Sequence, residues 1–348
     1  MATIALSPAS NGAAGRPRAI AQWLLAVAAL VFAMIVVGGI TRLTESGLSI
    51  VTWEPIAGAI PPLNEADWKT AFAAYQATPQ YAQVNTGMSL SEFKNIFFWE
   101  YVHRLLGRVI GLAFALPLIL FAVRRAIPKH YGWRLIVLLA LGGLQGVIGW
   151  WMVASGLVDR PDVSHIRLAV HLLAALLIFA ALIWTALDLL RLARDSAARP
   201  ARMPTLAIWA LALLAVQIMF GAYVAGLEAG YAFSSWPKMG DAWFPADAPI
   251  LEPYLRNFAD NPIIVQFIHR WLAFAVAGAV LLVARQAWLK GFEWLAIALA
   301  FAVLGQILLG ILTLLTGVAL VIAVAHQAMA ALLLAALALA AHRLGAAR

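Results

Sequence analysis

Two short stretches set acid–base and metal-ligating groups into otherwise apolar surroundings. "FFWEYVHRLLG", residues 97–107, carries Glu100, His103 and Arg104 within little more than one helical turn, and "IVQFIHRWLA", residues 264–273, repeats the order with Gln266 in the acid's place. In a helix, residues three and four apart share a face. The first stretch therefore offers an imidazole with a carboxylate proton acceptor beside it. The second keeps the imidazole and the arginine (His269, Arg270) but replaces the carboxylate with an amide that can hydrogen-bond and cannot take up a proton.

The setting for these groups is a membrane. Of 348 residues, 64% are hydrophobic and 11% charged, far too much apolar surface for a soluble domain. Segments of about 20 apolar residues cross a bilayer, and eight are readable, at 20–40, 96–123, 134–154, 167–190, 205–226, 262–285, 292–316 and 318–341. The first reads as a retained span, since "VVGGITRL" offers no small-x-small cleavage site. Basic residues gather at one set of span ends: Arg16, Arg18, Arg124, Arg125, Lys129, Arg134, Arg191, Arg194, Arg199, Arg202, Arg285, Lys290, Arg343 and Arg348, against Asp188, Asp195 and Glu293. That bias places those ends and both termini in the cytoplasm. It also makes the net charge of +8 a topology signal rather than a nucleic-acid surface. With no cysteine, disulfides and thiolate ligands are excluded.

The chain repeats itself. Glu45, Gly47, Trp53, Pro55 and Gly58 in 38–62 match Glu228, Gly230, Trp236, Pro237 and Gly240 in 221–245. His103 matches His269, "GGLQGVIG" (142–149) matches "LGQILLG" (304–310), and "AVHLLAALL" (169–177) matches "AVAHQAMAALLL" (323–334). The expected architecture is all-α: two four-helix halves, 1–200 and 201–348, repeated in parallel because each starts inside and spans four times. That argues against inverted-repeat transporter designs. Between the first two spans lies a long outer loop whose 64–79 segment has helical spacing of Trp68, Phe72 and Tyr75, as for a helix lying on the membrane surface.

Seven histidines sort by position. His130 and His342, at cytoplasmic span ends, read as solvated or interfacial, and His165 as an outer-loop surface residue. His103, His171, His269 and His326 fall one in each even-numbered span, about four to eight residues past its outer end, on the order of 6–12 Å deep. Ionisable groups inside a span mark function by default; a packing role for each would be the alternative. Zinc prefers three or four protein ligands, often carboxylate or thiolate, whereas two facing imidazoles supply the axial positions of a haem iron. Gly107, Gly111, Gly146, Gly149, Gly305 and Gly310 would leave room for a flat macrocycle or simply allow close helix packing. Arg104, Arg108 and Arg270 need counter-ions, which haem propionates would supply; pairing of Glu100 or Glu45 with an arginine is the competing arrangement.

Here the chain resembles the haem A synthase family, bacterial and mitochondrial enzymes that convert haem O to haem A for cytochrome oxidase. The resemblance is carried by "GGITRLTESGLSIVTWEPIAGAIPPL" (38–63), "EYVHRLLGR" (100–108), "GWWMVASGL" (149–157), "RLAVHL" (167–172), "SSWPKMGDAWFP" (234–245) and "NPIIVQFIHR" (261–270). The long first outer loop is similar to the mitochondrial and alphaproteobacterial branch. The resemblance implies a resident haem b ligated by His269 and His326, and a substrate haem O, leaving as haem A, held at His103 and His171. It implies successive hydroxylation of a ring methyl to a formyl group, with Glu100 as the catalytic acid–base or capturing group. It implies haem O synthase as the source of substrate, a quinone or protein electron acceptor, and a bacterial inner-membrane location with the haem sites near the periplasmic face, and it makes a homo-oligomer plausible. Two departures stand out: "HRWLA" lacks the glycine the family commonly has after the leucine, and the outer-loop cysteine pair of some members is absent. A bis-histidine b-type cytochrome that only carries electrons is the rival reading. A haem transporter fits less well, because all four histidines lie near one face.

Overall fold

The computed structural model describes residues 15–54, 57–158, 160–245 and 248–346; Pro55 and Arg348 lie outside them. Among the described residues, eight helices are long and apolar enough to cross a membrane. They are α1 (Pro17–Leu43), α4 (Leu90–Val123), α5 (Gly132–Val153), α6 (His165–Leu192), α7 (Thr205–Gly226), α9 (Pro262–Leu289), α10 (Glu293–Leu315) and α11 (Leu320–Ala346). Three short helices, α2 (Glu65–Gln76), α3 (Pro79–Gln83) and α8 (Asn257–Asp260), lie in the loops. No strand longer than the isolated Met239–Ala242 bridge occurs among the described residues.

Local chemistry sets the helix starts. Pro17 and Pro262 occupy first-turn positions, where a missing N–H costs nothing. Ser164 caps α6 by accepting from the Arg167 N–H, and Asn261 accepts from the first N–H groups of α9. A capping box of Ser89 and Glu92 starts α4 at Leu90, earlier than apolar content predicts. The added turns project from the apolar segment and carry Phe93 and Phe97, against which α2 packs Trp68, Phe72 and Tyr75. The apolar face of 64–79 thus covers α4 instead of lying on lipid.

In the bundle α1 packs on α4 and α6, α6 on α7, and α11 on both α1 and α6; α9 packs on α7 and α10, and α10 on α11. Association in lipid depends on close packing and polar satisfaction rather than on apolar burial. At Gly226 of α7 an added Cβ would lie 2.5 Å from the His165 Cβ, so glycine alone permits that α6–α7 approach. Gln327 of α11 donates to the Ile35 carbonyl of α1 at 2.7 Å, with its amide against Gly39. The basic ends come together: Arg16 N–H donates to the Ala126 carbonyl, and Arg191 donates to the Arg199 and Ala346 carbonyls.

Two histidines expected on the surface are interior. His342 is 1% exposed and stands 3.0 Å from the Asp188 carboxylate, which also accepts from Arg134 at 2.7 Å and from the Ala201 N–H at 2.9 Å. The span reaches Ala346, so His342 is carried against α6 instead of ending in solvent. His165 opens α6 rather than lying in a loop, 3.1 Å from Asp260 and edge-on to Tyr223. At the outer ends, Glu45 and Glu228 each take left-handed backbone (φ 52° and 53°) one residue past the caps of α1 and α7, a position glycine usually fills. Arg42 stands 3.5 Å from the Glu228 carboxylate. Burial, then the Glu228 charge, raises the Glu45 pKa above its ordinary value, and Arg42 offsets part of this.

Asp188→Ala strands Arg134 and His342 and is expected to cost about 3 kcal/mol or more, read from thermal unfolding in detergent by circular dichroism. Because Glu45 is raised in the folded chain, the stability it contributes is complete below the ordinary carboxylate range and is lost as pH rises through the raised value. Unfolding temperature should therefore decline above pH 4.5 more steeply in the native chain than in Glu45→Gln. Parallel profiles would refute the raised Glu45 value.

Candidate haem-binding sites

The four span histidines form two pairs. His103 of α4 faces His171 of α6 with ring centroids 6.5 Å apart and planes at 78°, and His269 of α9 faces His326 of α11 at 6.4 Å and 89°. Metal–imidazole bonds of about 2.0–2.1 Å, plus roughly 1.15 Å from ring nitrogen to ring centre, would place two imidazoles on one iron about 6.4 Å apart. Both pairs match that separation. Among the described residues no group of three or more His, Cys, Asp or Glu side chains converges as a metal site, so the donor set fits an iron already bound in a macrocycle and falls short of a structural zinc site.

Every ring lies against a glycine of a neighbouring helix. An added Cβ would come 2.9 Å from His171 Cε1 at Gly149, 3.0 Å from His269 Cε1 at Gly221, 2.9 Å from His326 Cε1 at Gly310, and 3.6 Å from His103 Nε2 at Gly38. A glutamine precedes three of those glycines by one turn. Gln145 Nε2 donates to the His171 carbonyl at 2.8 Å and lies 3.1 Å from its Nδ1; Gln217 does the same to His269 at 2.9 and 3.2 Å. His269 Nδ1 is also 3.2 Å from the Gln217 carbonyl, whereas His326 Nδ1 has no hydrogen-bond partner among the described residues. At His269 an Nδ1–H donated to the Gln217 carbonyl leaves Nε2 free to ligate a metal.

Sequence reasoning named Gly149 and Gly310 but missed Gly38, Gly221 and the three glutamines. The readable signal is a recurring Gln-x-x-x-Gly: "QGVIG" (145–149), "QIMFG" (217–221) and "QILLG" (306–310), with "MIVVG" (34–38) as the exception. Of the other glycines singled out, Gly107 and Gly305 meet the methyls of Met34 and Met329, while Gly111 and Gly146 have nothing within 4 Å of an added Cβ.

The Glu/Gln difference has a structural counterpart. Glu100, 2% exposed, accepts from Ser49 Oγ at 2.7 Å and the Ile50 N–H at 2.8 Å through one oxygen, and from Arg104 Nε and Nη2 at 3.0 and 2.7 Å through the other. Arg104 also donates to the Ile50 and Thr52 carbonyls, and Arg108 to the Glu54 carbonyl. The outer loop is thereby strapped to α4 one turn above His103. In the second copy Gln266 and Arg270 both donate to the Phe233 carbonyl, and Arg270 to those of Ser235 and Lys238. The strap is the same, yet Arg270 has no carboxylate within ion-pair reach among the described residues, and its buried Nε has no partner. Arg104 is neutralised by the protein; Arg270, 5% exposed, leaves a positive charge at the second site.

Gly149→Ala and Gly310→Ala drive a methyl into a histidine ring, so each is expected to lower the haem retained per chain. Gly111→Ala, with open space around it, should not. Pyridine haemochrome content of the purified variants measures both.

The chain matches the family model COX15-CtaA, described as cytochrome oxidase assembly protein, over residues 21–338. It is 61% identical over 329 residues to a protein named Heme A synthase from Rhizorhabdus wittichii, covering 94% of this chain and 95% of the relative. It is 54% identical over 341 residues to one of the same name from Sphingopyxis alaskensis, covering 98% and 96%. The corresponding protein of Rhodospirillum centenum is 48% identical over 333 residues, covering 94% and 89%. The chain belongs to the COX15-CtaA family of cytochrome oxidase assembly proteins.

Proposed function

We propose that the chain is a haem A synthase, a multi-pass membrane oxidoreductase that converts a ring methyl of haem O to the formyl group of haem A. The carrying observation is the pair of facing imidazole sets, 6.5 and 6.4 Å apart, inside spans. Family membership and the names of the relatives support the reading.

The two sites divide the work. His103 and His171 hold the substrate haem; His269 and His326 hold a resident haem b, with Arg270, uncompensated in the protein, meeting a propionate. A haem bound there supplies one-electron transfer between the substrate site and an external acceptor, a quinone or a protein. Arg104 and Arg108 sit where substrate propionates would compete with the loop carbonyls that they now bind.

Oxidising a methyl to a formyl removes protons and electrons and adds an oxygen atom, by successive hydroxylation and loss of water from a gem-diol. Glu100, three residues before His103, is the proposed proton acceptor or capturing carboxylate. Both its oxygens are engaged at rest, so taking up a proton requires Ser49 and Ile50 to withdraw or share. Gln266, at the equivalent place, leaves the second site with electron handling alone.

The parallel-repeat reading, halves 1–200 and 201–348, is supported by the matching left-handed turns at Glu45 and Glu228 and by the two equivalent straps. Clustering of the basic loops at one end supports cytoplasmic termini in a bacterial inner membrane. The haem sites then lie near the periplasmic face. Haem O synthase is the proposed source of substrate, and a homo-oligomer is compatible with the exposed apolar helix faces.

Haem extracted from purified protein should contain haem O or haem A beside haem B. Haem B alone in every preparation would favour a bis-histidine electron carrier. In a strain lacking its own synthase, Glu100→Gln is expected to abolish haem A while leaving bound haem B in place; intact haem A production would refute the catalytic role.

A further inference from the structure

The four histidines are not held alike. His171 and His269 are gripped by a glutamine amide at the backbone carbonyl and at Nδ1. His326 lies 2.9 Å from where a Cβ at Gly310 would stand, and its Nδ1 has no hydrogen-bond partner among the described residues. All three present Cε1 and Nδ1 to their glycine. His103 differs on each count. Met34 stands where the others have glutamine, Gly38 is more distant, and the ring turns its Nε2–Cδ2 edge to that glycine at 3.6 and 3.9 Å. Among the described residues no hydrogen bond orients the His103 ring.

The walls around the two pairs differ in the same sense. Counting from the histidine, Gly107 and Gly111 of α4 correspond to Ala273 and Ala277 of α9; counting from the glutamine, Gly142, Gly143 and Gly146 of α5 correspond to Val303, Leu304 and Ile307 of α10. Val303 and Ala277 are buried in the core, whereas an added Cβ at Gly111, Gly142, Gly143 or Gly146 meets nothing within 4 Å.

We infer that Gln145 and Gln217 are positioning residues that fix His171 and His269 as permanent ligands, and that His103, which has neither a glutamine nor a close glycine, is the ligand that swings away to admit and release haem. The inference rests on the proposed placement of haem at both pairs and adds what separates a resident site from an exchanging one. A pair with one histidine gripped and the other wedged against glycine retains its haem; a pair held at His171 alone exchanges it. Buried Oε1 atoms without partners on both glutamines are a cost that packing residues would not carry, since a methionine fills the same space in α1.

The test transplants the device in both directions. Gln217→Met copies the α1 arrangement into the second site, and Met34→Gln builds the missing grip beside His103. Purified protein, loaded with haem O, is mixed with excess apomyoglobin and haem transfer is followed optically, with the low-spin ferric signal recorded by electron paramagnetic resonance. Gln217→Met should speed loss of haem B about tenfold or more, in line with the effect of outer-shell partners on ligand sites, and shift its low-spin signal while leaving haem O retention unchanged. Met34→Gln should slow haem O release by a similar factor. Native transfer rates and signals in both variants would overturn the inference. If Gln217→Met does not fold, Met34→Gln decides alone: release at the native rate overturns the role given to His103. Native protein with no haem, or His269→Ala with its haem B intact, would instead refute the placement of haem.

Discussion

An imidazole inside an apolar bundle must have its ring fixed and its nitrogens accounted for, and the rest of this fold answers that requirement. A ring as large as imidazole cannot lie flat between two helices unless the neighbouring helix has no side chain there, so each odd-numbered span yields a glycine at the level of a histidine. The glycine brings the backbones close, and closeness brings the glutamine one turn earlier within reach of the histidine carbonyl. Helix–helix approach, ring orientation and choice of ligating nitrogen thus follow from one small-residue position repeated along the chain.

The straps over the sites obey the same electrostatic logic with unequal results. An arginine near membrane depth is costly unless its donors are met, and both Arg104 and Arg270 meet loop carbonyls. Glu100 closes the first strap into a neutral unit; Gln266 closes the second without removing its charge. The acid is therefore a fastening group as well as the proposed proton acceptor, and its absence from the second copy leaves a cation suited to a permanently bound, propionate-bearing ligand.

Much of this was legible in residue order because it is periodic or local. Apolar runs gave the spans, and four histidines at one depth gave the pairs; the Glu100–Arg104 ion pair was the competing arrangement rather than the expected one. What escaped depended on partners far away in sequence. His342 looked solvated because nothing near it in the chain announces Asp188, 154 residues earlier. His165 looked like a loop residue because its cover comes from Tyr223 and Asp260. The arginines looked committed to propionates, whereas Arg104 pairs with Glu100 and all three donate to backbone carbonyls, which no side-chain pattern encodes. The Gln-x-x-x-Gly recurrence was visible, but a glutamine in a span reads as a generic polar residue until the histidine beside it is known.

The central claim is that facing imidazoles at membrane depth ligate haem iron. Near-infrared magnetic circular dichroism of the purified, oxidised protein tests it most directly, because the charge-transfer band reports the axial ligand pair. The account predicts a low-spin ferric haem with two imidazole ligands, lost when His171→Ala and His326→Ala are combined. A band characteristic of a single histidine or a methionine ligand, or a bis-imidazole band that survives the double substitution, would contradict it.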